Sequence, residues 1–307
     1  MKKYRPEGIL FDTKQNKKYM ESMNGLRECF FTEKILEAKV TLCDNEHNLH
    51  VDLGVMEGVI PREECAIGIS DGTVRDIAIV SRVNKPVCFK IVDFMDDELG
   101  NRTAILSRRQ VQEECMENYI KNLSPGDVIE ARVTHNETFG SFCDIGCGIS
   151  ALLPIDSISV SRIPHPNVRF SVNTIIKAVV KGIDELDRVT LSLKELLGTW
   201  EENASNFRAG QTVGGIVRSI ERYGVFIELS PNLAGLAEYT DDVEEGDSAS
   251  VYIKSINPEK MKIKLSIVDS FPEKGKPTPI KYYSNEEHIE SWQYSPTVCE
   301  KIIESVF

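Results

Sequence analysis

The sequence has no apolar run near the ~18 residues a membrane-spanning helix needs. Its first residues, Met1-Lys2-Lys3-Tyr4-Arg5-Pro6, lack the apolar stretch of a secretory signal, so a cytoplasmic location is expected. The eight cysteines, at positions 29, 43, 65, 88, 115, 143, 147 and 299, contain no C-x-x-C pair. In a cytoplasmic chain they are expected to be reduced and buried as small hydrophobes. Cys43, His47 and His50 have ligand-like spacing, but the second half of a four-ligand zinc site is missing. No metal and no cofactor is therefore expected. P-loop, H-E-x-x-H and nucleophile-elbow signatures are also lacking, which argues against an enzyme.

Positive charge is scarce as well. Thirty-six Lys and Arg face 48 Asp and Glu, a net charge of −12. A partner held mainly through phosphates would call for the reverse. The imbalance is uneven along the chain. Residues 33–107 hold 14 acids against 8 bases, residues 124–194 hold 8 against 7, and residues 207–266 hold 9 against 7. In the middle stretch, stacking would have to carry more of any nucleic-acid binding than charge does.

What the 307 residues do contain is β-rich texture and repetition. An amphipathic helix is expected over 14–26. Strands are then expected at 35–42, 49–53, 55–60, 77–83, 87–92 and 103–106, and a connecting helix over 107–121 packs its apolar stripe on a barrel end. Further strands fall at 128–134, 141–145, 149–153, 175–183 and 189–193. A helical linker over 195–203 carries Trp200, read as a packing anchor. The last set is 212–220, 225–229, 233–238, 248–256 and 262–267. A looser tail has Pro272, Lys276-Pro277 and Pro279, then helices over 285–292 and 296–306. Five short strands in about 60–75 residues, three times over, suit small closed barrels. They leave no stretch for a separate catalytic domain.

The three sets share a register. His50-Val51-Asp52-Leu53, Phe142-Cys143-Asp144-Ile145 and Phe226-Ile227-Glu228-Leu229 each have apolar second and fourth residues and an acidic third. Each set closes on Leu-Ser: Leu106-Ser107, Leu191-Ser192 and Leu265-Ser266. In the run Phe139-Gly140-Ser141-Phe142-Cys143-Asp144-Ile145-Gly146, alternation turns Cys143 and Ile145 inward and puts Phe142 and Asp144 on the opposite, wetter face. An aromatic ring on a half-polar strand face is suited to stack on a nucleic-acid base.

These residues resemble the S1 repeat, an OB-fold RNA-binding module, and more narrowly the bacterial ribosomal protein S1 family. The second set carries the resemblance best, at Gly126-Asp127-Val128, Phe139-Gly140, Phe142, Gly146, Asp184, Arg188 and Leu191-Ser192-Leu193-Lys194. Ser161-Arg162-Ile163-Pro164-His165-Pro166, Leu197-Gly198-Thr199-Trp200-Glu201 and Ser107-Arg108-Arg109 are similar to that family's internal segment and connectors. The third set keeps Tyr223-Gly224 and Phe226 but has Asn257 and Lys262 in the Asp and Arg slots, with only a short segment from Tyr239 to Asp247. Pro154 and Glu238 stand where the repeat usually has a face histidine. The first set has His47 and His50 in the aromatic slots, Asp93 in the acidic slot, and Thr103 in the basic slot with Arg102 beside it.

The resemblance implies a mainly β protein of three tandem S1/OB-fold five-stranded barrels joined by short helical linkers, the first repeat degenerate. The expected division is an N-terminal extension (1–32), a degenerate S1-like domain (33–107), a helical linker (108–123), an S1 domain (124–194), a linker (195–206), an S1 domain (207–268) and a tail (269–307). It implies single-stranded RNA or mRNA as the partner, in translation or RNA metabolism. The first module would be given over to the ribosome or other translation proteins. Candidate RNA-binding residues are Phe139, Phe142, Asp184, Arg188, Arg132, Lys181, Arg162, His165, Tyr223, Phe226 and Lys262. Arg188 either meets RNA or is held by Asp184 four residues away. Arg162 and His165 either extend the site or pack a loop. The rival reading is a protein-interaction scaffold whose S1 folds no longer bind RNA strongly.

Overall fold

The computed structural model describes residues 4–96, 102–274 and 280–307. Three closed five-stranded barrels make up most of it. The first is built from β1 (Leu36–Cys43), β2 (Leu49–Asp52), β3 (Glu57–Ile60), β4 (Pro86–Asp96) and β5 (Arg102–Ser107), in the order β1-β2-β3-β5-β4. The second uses β6 (Val128–Glu137), β7 (Gly140–Gly146), β8 (Ile149–Pro154), β9 (Ile175–Ile183) and β10 (Val189–Ser192). The third uses β11 (Thr212–Glu221), β12 (Gly224–Ser230), β13 (Leu233–Ala237), β14 (Asp247–Asn257) and β15 (Lys262–Lys274). All three have one topology: an antiparallel meander, then a fifth strand parallel to the third, as at Gly58↔Ala104, Leu152↔Thr190 and Leu236↔Lys264. Closure leaves no unpaired edge, and the inward half of each alternating strand fills the interior. Val51, Cys143, Ile227, Val251 and Leu265 are buried in this way.

The chain divides into two compact units, Met1–Leu123 with Asp144–Ser150, and Ser124–Cys143 with Ala151–Phe307. In the first unit the expected single helix over 14–26 is two helices, α1 (Lys14–Met20) and α2 (Met23–Phe31). Ser22 interrupts the run because its hydroxyl accepts the Gly25 N–H at 3.1 Å and starts a new helix. The expected strand over 77–83 is instead a helix, α3 (Ile77–Val80). The Val80 and Ser81 N–H groups reach back to Asp76 and Ile77 at 3.1 and 3.0 Å, and Ile79 is buried while Ile77 points outward. A short β-branched run reads either way in sequence, and here it bridges β3 and β4 outside the barrel. The connector α4 (Arg109–Asn118) buries Val111 and Cys115.

In the second unit the linker is a 3-10 turn followed by α5 (Trp200–Ala204), whose start is fixed by a reciprocal Thr199–Glu202 capping box. Trp200 is buried. The two helices expected in the tail do not form. The segment first runs along the start of β6, where Glu287 accepts the Val128 N–H at 2.9 Å and Ile289 donates to Gly126 at 2.8 Å. It then makes a short hairpin of β16 (Ser291–Gln293) and β17 (Glu304–Val306). Tertiary anchors override the helical pattern: Trp292 and Tyr294 are buried, and the Tyr294 hydroxyl donates to the Asn232 carbonyl. Lys276, Pro277 and Pro279 lie outside the described residues.

Candidate nucleic-acid interface

The second and third barrels carry the same pair of rings. On β7, Cys143 and Ile145 are buried and Phe142 is half-buried, while Phe139 at the loop end is 54% exposed. Their ring centroids are 6.0 Å apart with planes at 85°. On β12 the half-buried Phe226 and the 68% exposed Tyr223 repeat this at 6.0 Å and 88°. An edge-to-face pair holds each ring in a fixed orientation. The glycine between the rings is required by space. A Cβ on Gly140 would stand 2.4 Å from the Leu153 carbonyl oxygen, and one on Gly224 2.3 Å from that of Ala237. The close approach of neighbouring strands thus sets where the loop ring stands.

The Asp-Arg pair of the second barrel is formed, with Arg188 Nε donating to Asp184 Oδ2 at 2.7 Å. Asp184 also accepts the Leu186 and Arg188 backbone N–H groups at 3.0 and 2.9 Å. The Arg188 backbone bond, then its side chain, hold the Asp184 carboxyl below its usual value. Arg188 nonetheless keeps its side chain 74% exposed. The third barrel solves the same turn without charge. Asn257 Oδ1 accepts the Lys260 N–H at 2.9 Å, and Lys262, opposite Asn257 in register, is exposed.

The other candidates separate. Lys181 donates to Ser157 Oγ at 3.0 Å from an exposed position. Arg132 is half-buried, and its Nε is buried without a hydrogen-bond partner among the described residues. His165 Nδ1 accepts the Asn167 N–H at 3.2 Å and caps the turn Pro166–Val168. Arg162 lies beside the third barrel's site, lining one cleft with Tyr223, Phe226 and Lys262.

In the second and third barrels the acidic residue of the repeated register is not on a wet face. Asp144 is 4% exposed, and its carboxylate accepts the Glu7 N–H at 2.7 Å and those of Gly146 and Gly148 at 2.9 and 3.0 Å. Burial, then the nearby Glu7 charge, push it up to about 7. The equivalent Glu228 is 3% exposed and accepts Arg169 through two bonds of 2.6 Å and Arg218 at 2.9 and 3.1 Å. Alternation set the direction of these side chains correctly but did not reveal what covers them. Arg169, just before β9, had no signal in sequence beyond its charge.

In the first barrel the aromatic slots are filled differently. His50 Nδ1 lies 2.6 Å from Glu57 Oε1, and its Nε2 lies 3.1 Å from Asp44 Oδ2. Burial alone would lower His50, but bonds to Glu57 and Asp44 outweigh it and raise it. His47 occupies the turn, donating its N–H to Asp44 O at 3.1 Å. Arg102 pairs with Asp96 at 2.6 Å, while Asp93 accepts the Phe94 N–H. Among the described residues no group of three or more His, Cys, Asp or Glu is placed to hold a metal ion, Cys43, His47 and His50 included.

The S1 RNA binding domain family matches residues 30–109 and 123–194. The chain is 28% identical over 304 residues to the small ribosomal subunit protein bS1 of Staphylococcus aureus (strain COL), covering 92% of this chain and 73% of that one. It is 28% identical over 284 residues to the protein of the same name in Staphylococcus haemolyticus, covering 86% and 69%. A solved multidomain protein with nucleic acid binding domains from Streptococcus pneumoniae aligns at 13% identity with a TM-score of 0.26, covering 77% of this chain and 73% of that one.

Proposed function

Because the chain belongs to the S1 RNA-binding domain family in its bacterial S1 form, we propose that it binds single-stranded RNA, mRNA in particular, in the cytoplasm and acts in translation or RNA metabolism. The observation that carries this is the matched ring pair on β7 and β12. Two barrels with different loop residues present the same aromatic geometry at the same register, and a barrel needs no such pair to close. Each base stacked on such a platform contributes ~1–3 kcal/mol. Rings on two barrels therefore support micromolar binding without strong charge. Arg188 and Lys262 supply the phosphate contacts. The role is binding, with no chemical step.

Filter binding to an unstructured pyrimidine-rich RNA tests this. The chain should bind with a modest salt dependence, and Phe142→Ala should weaken binding about tenfold. Absence of binding at low salt, or binding indifferent to Phe142, would favour the scaffold reading. For the first barrel, the histidine held between two carboxylates favours protein contacts, with the ribosome as the partner to test. Co-sedimentation with ribosomes that survives ribonuclease would support that role.

A further inference from the structure

The third barrel's rings do not stand on an open face. They line a cleft of about 660 Å³ whose other walls come from elsewhere in the same compact unit. Arg162 enters from the second barrel, and Lys301 and Ile303 from the C-terminal hairpin. That volume lies within the ~300–1,000 Å³ of pockets that enclose a small ligand. It is large enough to surround a nucleotide unit rather than only offer it a ring.

The walls are tied together through Asn232 and Tyr294. Asn232, fully enclosed, accepts the Val160 N–H at 3.0 Å and donates to the Lys194 and Gly198 carbonyls at 2.8 and 2.9 Å. Its own carbonyl accepts the Tyr294 hydroxyl. Through its backbone, Tyr294 in turn accepts the Trp200 N–H at 3.0 Å and donates to Ile303 O at 2.8 Å. The Arg162 segment, the linker and the tail are thus set around the rings before any ligand arrives.

The charge of the lining selects the occupant. Arg162, Lys260, Lys262 and Lys301 are exposed, and among the described residues none of them forms an ion pair. Arg218, also in the lining, is paired with Glu228, which it shares with Arg169. Among the described residues of the lining, Glu221 is the single acid. Unpaired cations around an aromatic floor fit a strand of phosphates and bases.

We infer that the third barrel, the Arg162 segment and the C-terminal hairpin form one composite cleft for single-stranded RNA, with phosphates on Arg162, Lys262 and Lys301 and a base on the Tyr223–Phe226 pair. This rests on the RNA-binding reading above and adds to it a site-forming role for the tail. The tail residues make the site; the third barrel alone would have only half of it.

The test uses the full chain carrying Phe142→Ala, so that the second barrel's ring is silent, and a labelled uridine hexamer as the probe. Arg162→Ala with Lys301→Ala should weaken binding about tenfold at low salt. It should also reduce the log–log salt slope by ~1.4, at ~0.7 for each phosphate no longer neutralised. Arg162→Lys with Lys301→Arg should restore both. A hexamer containing 4-thiouridine should cross-link to the peptide spanning 294–303. If Phe226→Ala has no effect in this background, the RNA reading of the third barrel fails. If Phe226→Ala weakens binding while the charge variant stays within twofold, with unchanged slope and no tail cross-link, the composite cleft alone is overturned. Competition by a poly-glutamate peptide equal to that of RNA would overturn it too.

Discussion

The first barrel and the third have one topology and one strand-two register, with a register shift at the same point of the opening strand, between Val40 and Leu42 and between Val217 and Ser219. Leu42 opposes His50 where Ser219 opposes Phe226. What differs is the outward residue. Phe226 makes a ring pair beside Lys262, and His50 is held by two carboxylates. The inward half of each strand is thus shared, and the outward half is where the two barrels part. The acidic slot makes the same point in reverse: Asp52 is exposed and turns onto the Gly54 N–H at 2.7 Å, whereas Glu228 is buried between two arginines.

The largest effect should come from that acidic slot. Glu228→Gln leaves two buried guanidinium groups without their charge partner and should cost about 3–5 kcal/mol of unfolding free energy. Asp52→Asn should stay within about 0.5 kcal/mol. Parallel denaturant titrations compare the two, and equal costs would break the contrast. Next, the double variant Phe142→Ala, Phe226→Ala should weaken binding to pyrimidine-rich RNA about a hundredfold, while His50→Ala changes it less than twofold. A comparable loss with His50→Ala would place RNA on the first barrel as well.

A smaller contrast concerns pH. Burial pushes the Glu37 carboxyl up, and the Glu7 charge adds to this, to about 8 against an ordinary 4.5. The folded state then holds a proton that the unfolded chain has lost, so the first unit should lose stability as pH rises between those values. Burial also pushes Glu228 up, but Arg169 and Arg218 outweigh it and hold it below 4.5. Its contribution is present above 4.5 and is lost as pH falls through its folded value. Hydrogen exchange corrected for intrinsic rates should show β1 and β4 opening more at pH 8 than at pH 5.5, with β11 and β12 unchanged. Glu37→Gln should reduce that difference, the remainder coming from Asp144, whose carboxyl is pushed up into the same window. Smallest of all, the His50 imidazole should titrate above 6.5 by NMR, and Asp44→Asn should move it down.

The fold was legible where alternation and turn residues agree. The β7 and β12 registers, the Gly140 and Gly224 turns and the inward Leu-Ser closures all follow from spacing. Segments whose structure depends on a distant partner were not legible. The start of the 77–83 run, Ile77–Val80, is helical because it spans two strands from outside the barrel, and 291–293 and 304–306 pair as strands because Trp292 and Tyr294 are anchored. At the candidate interface, ring positions could be read from sequence because they recur. The burial of Asp144 depends on Glu7, 137 positions away. The placing of Arg162 beside the third barrel and the reach of Lys301 into that cleft likewise join distant parts of the chain, and no local pattern records them.

The bond between Arg169 and Glu228 has a consequence for the length of RNA the protein covers. Arg169 belongs to the second barrel and Glu228 to the third, and both are sealed from water. Two binding points on a flexible tether would accept a wide range of spacings along a strand, at an effective concentration set by the tether. Two points on one buried joint measure a set interval instead. A strand long enough to reach both ring pairs should gain affinity in a single step as nucleotides are added, and a shorter one should gain almost nothing. If both ring pairs take bases as proposed, the joint would make this part of the molecule a gauge of strand length, whatever bases the strand carries.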